Sequence, residues 1–448
     1  MTPLSRVFYH IYWLASGRWR WVRRHFTRPG LAVLATLILA ALLAPDTDNN
    51  LTYQALPLLL FLLVVAVCLS WLSRAPFSAV RMLPRFGTAG CPLHYRVVVK
   101  NLSKRVQNGL ALLENLADSR PSFGAWMAVQ RTEQKLLRSF RISGHRPLNP
   151  FKVAMVKDAN VPPIPPGQEV EVRVELKPLR RGVLRFIGVT LARSDPLGLF
   201  RALTTVPLAQ TVLILPRRYP LPAIALPGTV KYQEGGVALA ASVGQSDEYV
   251  ALRDYRHGDP MRHIHWRSWA RVGRPVVKEF EDEFFVRHAL VLDTFTDYTQ
   301  SEVFEEAVSV AASFACTLPT QESLLDLLFV GPQSYCFTAG RGVAHVDQML
   351  EILASVRTCS DQRFLALEHL VLSHVEAVSG CICVLVDWDE ARRTFIGKLK
   401  ALGVPVQVLV IVQPDHDQSL DPGPLSDEPE RFTVLEVGRI ETGLANLS

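Results

Sequence analysis

Two apolar runs near the N-terminus constrain this chain more than any other feature. Residues 31–44 carry no charge, residues 55–72 form a second such run, and Pro45-Asp46-Thr47-Asp48-Asn49-Asn50 separates them. A helix crossing a bilayer core needs ~20 apolar residues. The second run has that length; the first is shorter, in the range where a buried or interfacial helix competes, and their pairing predicts two N-terminal transmembrane helices. A composition 49% hydrophobic, with a mean hydropathy of +0.16, agrees.

Charge orients the pair. Arg18, Arg20, Arg23, Arg24 and Arg28 precede the first run and Arg74, Arg81 and Arg85 follow the second, whereas the intervening loop holds Asp46 and Asp48 and no base. Basic flanks stay on the cytoplasmic side, so both termini and the soluble domains are expected there. No small-residue cleavage site follows Ala44, which argues against a signal peptide. Trp13, Trp19 and Trp21 among arginines read as an interfacial segment. Seven cysteines, Cys68 within a span and Cys381-x-Cys383 in an apolar run, form no disulfide framework and suit a reducing compartment.

The 448 residues amount to roughly three domain lengths. Residues 1–75 read as a basic arm with a two-span anchor. Residues 76–222 read as an all-β, sandwich-like domain: residues 94–99, 169–176, 182–192 and 211–215 have strand patterns, and 162–167, Pro-Pro-Ile-Pro-Pro-Gly, is a stiff connector. Residues 223–283 are a linker with Gly235, Gly236 and Gly244, followed by a dense signature. Residues 284–448 alternate strand and helix, with an acidic Pro- and Gly-rich tail loop at 414–430 before a last strand at 432–437. That alternation predicts an α/β doubly wound sheet.

The signature places seven Lys or Arg in residues 253–278 against Asp254 and Asp259, with Tyr255, Trp266 and Trp269 among them. Asp259 before Pro260 predicts a helix start, Gly273 its end, and 275–285 a return to strand. The pattern Arg253-x-Tyr255-Arg256-x-Gly258-Asp259, then Arg262-x-Ile264-x-Trp266, Ala270-Arg271 and Val277-Lys278-Glu279-Phe280 resembles the signature of the bacterial family called domain of unknown function 58. One departure is His265, where an Asp commonly precedes the Trp. The resemblance implies two membrane helices, a β-rich middle and a C-terminal domain similar to von Willebrand factor A. It also implies a location in the bacterial inner membrane and a partner, a MoxR-type AAA+ ATPase.

Domains of the von Willebrand A kind often hold Mg²⁺ or another divalent cation on oxygens at the ends of strands. Asp293 and Asp387 match the first and last of those positions, but Phe295 and Asp297 replace the serines and the loop at 338–342 aligns loosely. A degenerate site of Asp293, Asp297 and Asp387 is one reading, completed by Thr294, Thr296 or Asp389. The other is that Asp293 caps a helix or pairs with an arginine of the signature.

No catalytic set emerges. His257, His263 and His265 lack ligand spacing, His263 and His265 being two apart on an expected helix, and Ser268 lacks a nucleophile elbow. The chain therefore reads as a membrane-anchored interaction protein rather than an enzyme. In this reading Arg253, Tyr255, Arg256, Gly258, Asp259, Arg262, Trp266, Arg271, Lys278 and Glu279 form a domain junction or a docking surface, the arginines meeting an acidic partner or Glu279, Glu281, Asp282 and Glu283. Two alternatives stand beside it. One is binding of an anionic polymer or lipid headgroups, suggested by a pI near 9.0; the other is a cryptic metal-dependent enzyme at the sheet edge.

Overall fold

The computed structural model describes residues 3–43, 50–73, 75–127, 129–130, 151–222, 251–259, 261–279, 286–296, 301–317, 323–339, 343–360, 362–414 and 420–447. The glycine-rich linker at 223–245 lies outside them. The chain divides into two units, the first built mainly from Met1–Arg218 and the second mainly from Tyr219 onward.

The first unit opens with α1 (Pro3–His25), α2 (Arg28–Leu43) and α3 (Asn50–Leu72). Among the described residues one helix is long and apolar enough to cross a membrane, over Gln54–Leu72; α2 is apolar but shorter. Thr27 separates α1 from α2 by capping the latter: its hydroxyl accepts the N–H of Gly30 at 3.1 Å, with Pro29 in the first turn.

Two sheets follow. The first has the antiparallel order β1 (Phe77–Met82), β3 (Leu93–Asn101), β7 (Glu169–Pro178), β5 (Ala154–Val156). The second runs β2 (Phe86–Thr88), β9 (Arg201–Leu215), β8 (Gly182–Ser194), β4 (Leu110–Leu116), β6 (Ala159–Val161). In β3, Leu93, Tyr95, Val97 and Val99 are buried while His94 and Arg96 are exposed, the period-two pattern that turns one face inward. Both sheets contribute to one apolar core, including Val97, Leu112, Val174, Leu176, Phe186 and Ile214. β9 reaches much further than residues 211–215 because Pro207 does not end it. Pro207 sits opposite Gly188, where the register shifts, and a bulge of this kind accommodates proline. A Cβ on Gly188 would come within 2.6 Å of the Val206 carbonyl oxygen.

Arg81 corrects one sequence expectation. It is not a membrane-flanking charge but lies within β1, 2% exposed, in the sandwich interior. Its Nε bonds Glu114 Oε1 at 3.0 Å and its second terminal nitrogen bonds Glu114 Oε2 at 2.5 Å, both side chains fully buried. The carbonyls of Leu208 and Gly188 and the side chain of Gln210 take the remaining donors, and the Phe186 ring lies 4.5 Å away.

The second unit begins with a two-stranded antiparallel hairpin, β10 (Ala251–Asp254) and β11 (Val276–Glu279), whose connection holds a 3-10 turn at Met261–His263 and a short helix, α4 (Trp266–Val272). There follow β12 (Val286–Leu292), α5 (Glu302–Thr317), β13 (Ser323–Val330), β14 (Ser334–Ala339), α6 (Val343–Ser355), α7 (Leu365–Leu372), β15 (Gly380–Leu385), α8 (Glu390–Ala401), β16 (Val406–Val412), β17 (Phe432–Glu436) and α9 (Ile440–Ala445). The six strands order as β14-β13-β12-β15-β16-β17, all parallel except β14. Every residue of β15 and β16 is buried, as in a sheet covered on both faces. β14 was not expected. It folds back on β13 through a tight turn in which the Gly331 N–H bonds the Gln333 carbonyl at 2.9 Å, so Thr338 is strand-paired with Asp326 rather than carried on a free loop.

Candidate functional site

The signature hairpin accounts for half of its own motif by local structure. Arg253 grips Asp259 with both terminal nitrogens, at 2.7 and 2.8 Å, and Asp259 also accepts the Arg256 N–H at 2.8 Å. The Asp259 carboxylate is thus held by a two-pronged charged bond, and the 3-10 turn at Met261–His263, not an α-helix, is the first helical element described after it. Gly258, at φ 109°, completes the turn with an N–H of Asp259 bonded to the Arg256 carbonyl at 3.1 Å. Below it, Tyr255 and His265 donate backbone bonds to Pro275 and Val276 at 3.0 and 2.9 Å, and Ile264 bridges to Val277.

The helix starts instead at His265, whose Nδ1 lies 2.7 Å from the Ser268 hydroxyl. An Asp there would be the stronger N-cap; the His265 side chain caps no backbone N–H and meets the Ser268 hydroxyl instead. His263 sits in the 3-10 turn rather than on that helix, 3.3 Å from Arg262 Nε. Gly273, at φ 72°, ends α4 with its N–H on the Trp269 carbonyl. Arg274 pairs with Asp254 at 3.1 Å. The signature's charges thus meet its own aspartates; Glu281, Asp282, Glu283 and the Glu279 side chain lie outside the described residues.

What remains faces outward. Arg256, Arg262, Arg267 and Arg271 are exposed, and Trp266, 63% exposed, stacks on Trp269 with ring centres 5.2 Å apart at 18°. Met261 and Val272, 75% and 54% exposed, extend this patch. Large apolar and aromatic side chains held open to solvent among arginines are the composition of interface anchors.

The Asp259 clamp makes a pH prediction. Hydrogen bonds from Arg253 and the Arg256 N–H hold the carboxyl down to about 2, from an ordinary 3.8. A carboxylate with a folded value below its unfolded one adds stability that is present above 3.8 and lost as pH falls through about 2. Carbon-13 carboxyl NMR should find Asp259 titrating near 2 in the wild type and returning toward 3.8 in Arg253→Ala.

The second candidate region is the end of the sheet. Asp293, just after β12, is fully buried and stitches two strands: its N–H bonds the Val384 carbonyl and its Oδ2 accepts the Val386 N–H at 3.2 Å. Oδ1 accepts the Phe295 N–H at 2.9 Å. The charge partner is Arg392 of α8, whose Nε meets Asp293 Oδ2 at 2.7 Å, while its terminal nitrogens bond Asp389 at 2.8 Å and the Phe295 carbonyl at 2.9 Å. The Phe364 ring lies 4.9 Å from the guanidinium. Asp389 N-caps α8. Burial pushes the Asp293 carboxyl up against the pull of Arg392, and Asp293 and Asp389 together hold Arg392 above its ordinary range despite its burial.

Among the described residues the carboxylates of this set are already engaged by other donors. The guanidinium occupies Asp293's free lone pairs, and Asp387, exposed, turns back on the Trp388 N–H at 2.7 Å. Asp297 lies outside the described residues, and among those described no three His, Cys, Asp or Glu side chains gather at one point. Asp293 does pair with an arginine, but with one on α8 rather than in the signature. Arg392 went unnoticed in the sequence; its only trace is the Asp389-x-x-Arg392 spacing at a helix start.

The family model for Protein of unknown function DUF58 matches residues 251–443. The DUF58 match therefore spans both the hairpin signature and the α/β sheet. Uncharacterized protein YeaD of Bacillus subtilis (strain 168) is 29% identical over 184 residues, 40% of this chain and 44% of that protein. This chain thus spans less than half the length of that relative. Among solved structures, a Salmonella alpha-2-macroglobulin mutant matches 36% of this chain and 8% of its own at 15% identity and a TM-score of 0.19. The CARDB domain of a Pyrococcus furiosus protein matches 31% and 93% at 11% identity and a TM-score of 0.16. No argument rests on scores this low.

Proposed function

We propose that this protein is a membrane-anchored interaction protein of the bacterial inner membrane that docks a MoxR-type AAA+ ATPase through its signature hairpin, in the assembly or remodelling of envelope or other protein complexes. In this reading α2 and α3 both span the membrane, the termini and folded units are cytoplasmic, and the α/β sheet is a von Willebrand A-like domain whose metal position is filled by Arg392. The carrying observation is the division of the signature. Arg253, Gly258 and Asp259 are consumed in holding the hairpin, while Trp266, stacked on Trp269, and Arg256, Arg262, Arg267 and Arg271 stand exposed among the described residues. Such aromatic and arginine anchors contribute most of the binding energy at interfaces.

The test is affinity capture from detergent-solubilised native membranes, followed by titration of the recovered ATPase. Trp266→Ala should weaken binding by roughly 30-fold, on the order of 2 kcal/mol, and leave the unfolding temperature unchanged because the side chain is exposed. Undiminished capture by Trp266→Ala and by Arg271→Glu would remove the hairpin as the docking surface. Loss of binding in proportion to salt, with nucleic acid recovered in place of an ATPase, would favour the polymer-binding reading.

A further inference from the structure

α1 has two faces, and the structure uses only one. At 100° per residue, Tyr9, Tyr12, Trp13, Arg20 and Arg24 fall on one side. That side grips the end of β4 and the segment that follows it, whose residues 123–127 are helical. Tyr9 donates its hydroxyl to the Pro121 carbonyl at 2.8 Å and packs on Phe123 and Trp126, while Tyr12 stacks on Trp126. Arg120 lies 4.1 Å from the Trp13 ring, Arg20 pairs with Asp118 at 2.8 Å, and Arg24 bonds Asn115. Burial raises the Asp118 carboxyl, but the bonds from Arg20 and Arg120 outweigh it and hold the group well below its ordinary range.

The opposite side carries Val7, Phe8, Ile11 and Leu14, each 50–57% exposed, with Arg18 and Trp19 beyond them. α1 contains five arginines and no acid. Arg6, Arg18 and Arg23 are exposed. A second copy of α1 would set arginine against arginine, whereas an anionic surface neutralises them, each basic residue strengthening attachment on the order of fivefold. The C-terminal end of α1 also leads directly into the apolar helices. Phe26 packs on Phe200 with ring centres 5.1 Å apart, and Leu199 and Phe200 share a cluster with Val33 of α2 and Ala66 of α3.

We infer that α1 is an interfacial bracket: one face holds the β sandwich, and the face of Val7, Phe8, Ile11 and Leu14 lies in the headgroup layer of a membrane containing anionic lipid. This rests on the membrane anchor proposed above. The bracket carries the sandwich against the bilayer surface rather than on a free tether.

The full chain, reconstituted in phosphatidylcholine vesicles with and without one part in four phosphatidylglycerol, tests it. The photoreactive residue p-benzoylphenylalanine is placed at Phe8, at Phe61 on α3 (69% exposed) or at Val183 on the sandwich (57% exposed), and lipid adducts are read by mass. Adducts at positions 8 and 61, none at 183, and a severalfold higher yield at 8 with phosphatidylglycerol are expected. An adduct at 61 with none at 8 overturns the bracket and keeps the anchor. Protein adducts at 8 in place of lipid make the face an interface between copies and overturn it too. Equal yields in both lipids overturn the anionic surface. Adduct at 8 with none at 61 removes the anchor and leaves the bracket; none at either removes both.

Discussion

Arg392→Ala should lower the unfolding temperature of the α/β unit by about 6–20 °C. The substitution leaves Asp293 fully buried, with two backbone N–H bonds and no countercharge. Breaking a buried pair by removing one member costs about 3–5 kcal/mol, and each kcal/mol shifts a unit of this size by about 2–4 °C. Arg392→Lys should fall between, because an ammonium keeps the charge but cannot reach Asp293, Asp389 and the Phe295 carbonyl together. Asp293→Asn with Arg392→Leu should lose less than the sum of the single changes, since no charge is left buried alone. Hydrogen exchange of peptides covering β12, β15 and α8 assigns the loss to this unit. Mg²⁺ added to the wild type should leave the temperature unmoved, as the guanidinium already holds the Asp293 carboxylate. A rise of several degrees with Mg²⁺ would sink the claim that Arg392 excludes a metal.

Arg81→Ala should be at least as damaging, about 5 kcal/mol, and should act on the β sandwich alone. Glu114 loses both of its bonds to a side chain that is itself completely buried, and the Leu208 and Gly188 carbonyls lose their donors in the same step. Stranded acceptors add about 1–3 kcal/mol to the broken pair. The informative companion is Arg81→Met with Glu114→Leu. Apolar replacement of a whole buried pair is often neutral or stabilising, so the double variant should recover most of the loss in chemical unfolding followed by hydrogen exchange of β1 and β4. If it is as unstable as Arg81→Ala, the shape of the bonded network matters more than the uncompensated charge.

Those two arginines also mark what a sequence shows and hides. The α/β unit was legible because its strands are apolar on both faces and its helices periodic: the alternation read over residues 284–448 is there, and the last strand, read at 432–437, is β17. The apolar pattern says nothing of Arg392, which looks like any solvent-facing residue of a polar helix start and is buried only because Asp293 waits at the neighbouring strand end. Arg81 misled outright. Nine positions past the apolar helix it has the place of a topology-setting charge, and only pairing of β1 with β3 turns it inward. β14 escaped because Ser334-Tyr335-Cys336-Phe337-Thr338-Ala339 alternates weakly at an edge where five of its six positions are not buried. In the signature, residue type announced importance without distinguishing task. Arg253 and Arg262 read alike, and the geometry gives one to Asp259 and leaves the other exposed.

The seat between the helices and the sandwich has a temporal side. Asp195 accepts the N–H groups of Leu197, Leu199 and Phe200 at 3.0, 2.7 and 2.7 Å, fixing a loop whose Leu199 carbonyl receives the Thr27 N–H. That carbonyl comes so close to α2 that a Cβ on Gly30 would lie 1.9 Å from it, so only glycine fits. Thr27 and Leu199 are 172 residues apart. At ~5–20 residues per second on the ribosome, the helices wait about 10–30 s for the loop that clasps them. The partners of α1's aromatic face, at residues 115–126, emerge earlier, so α1 gains its side contacts before the Thr27 and Gly30 seat is closed.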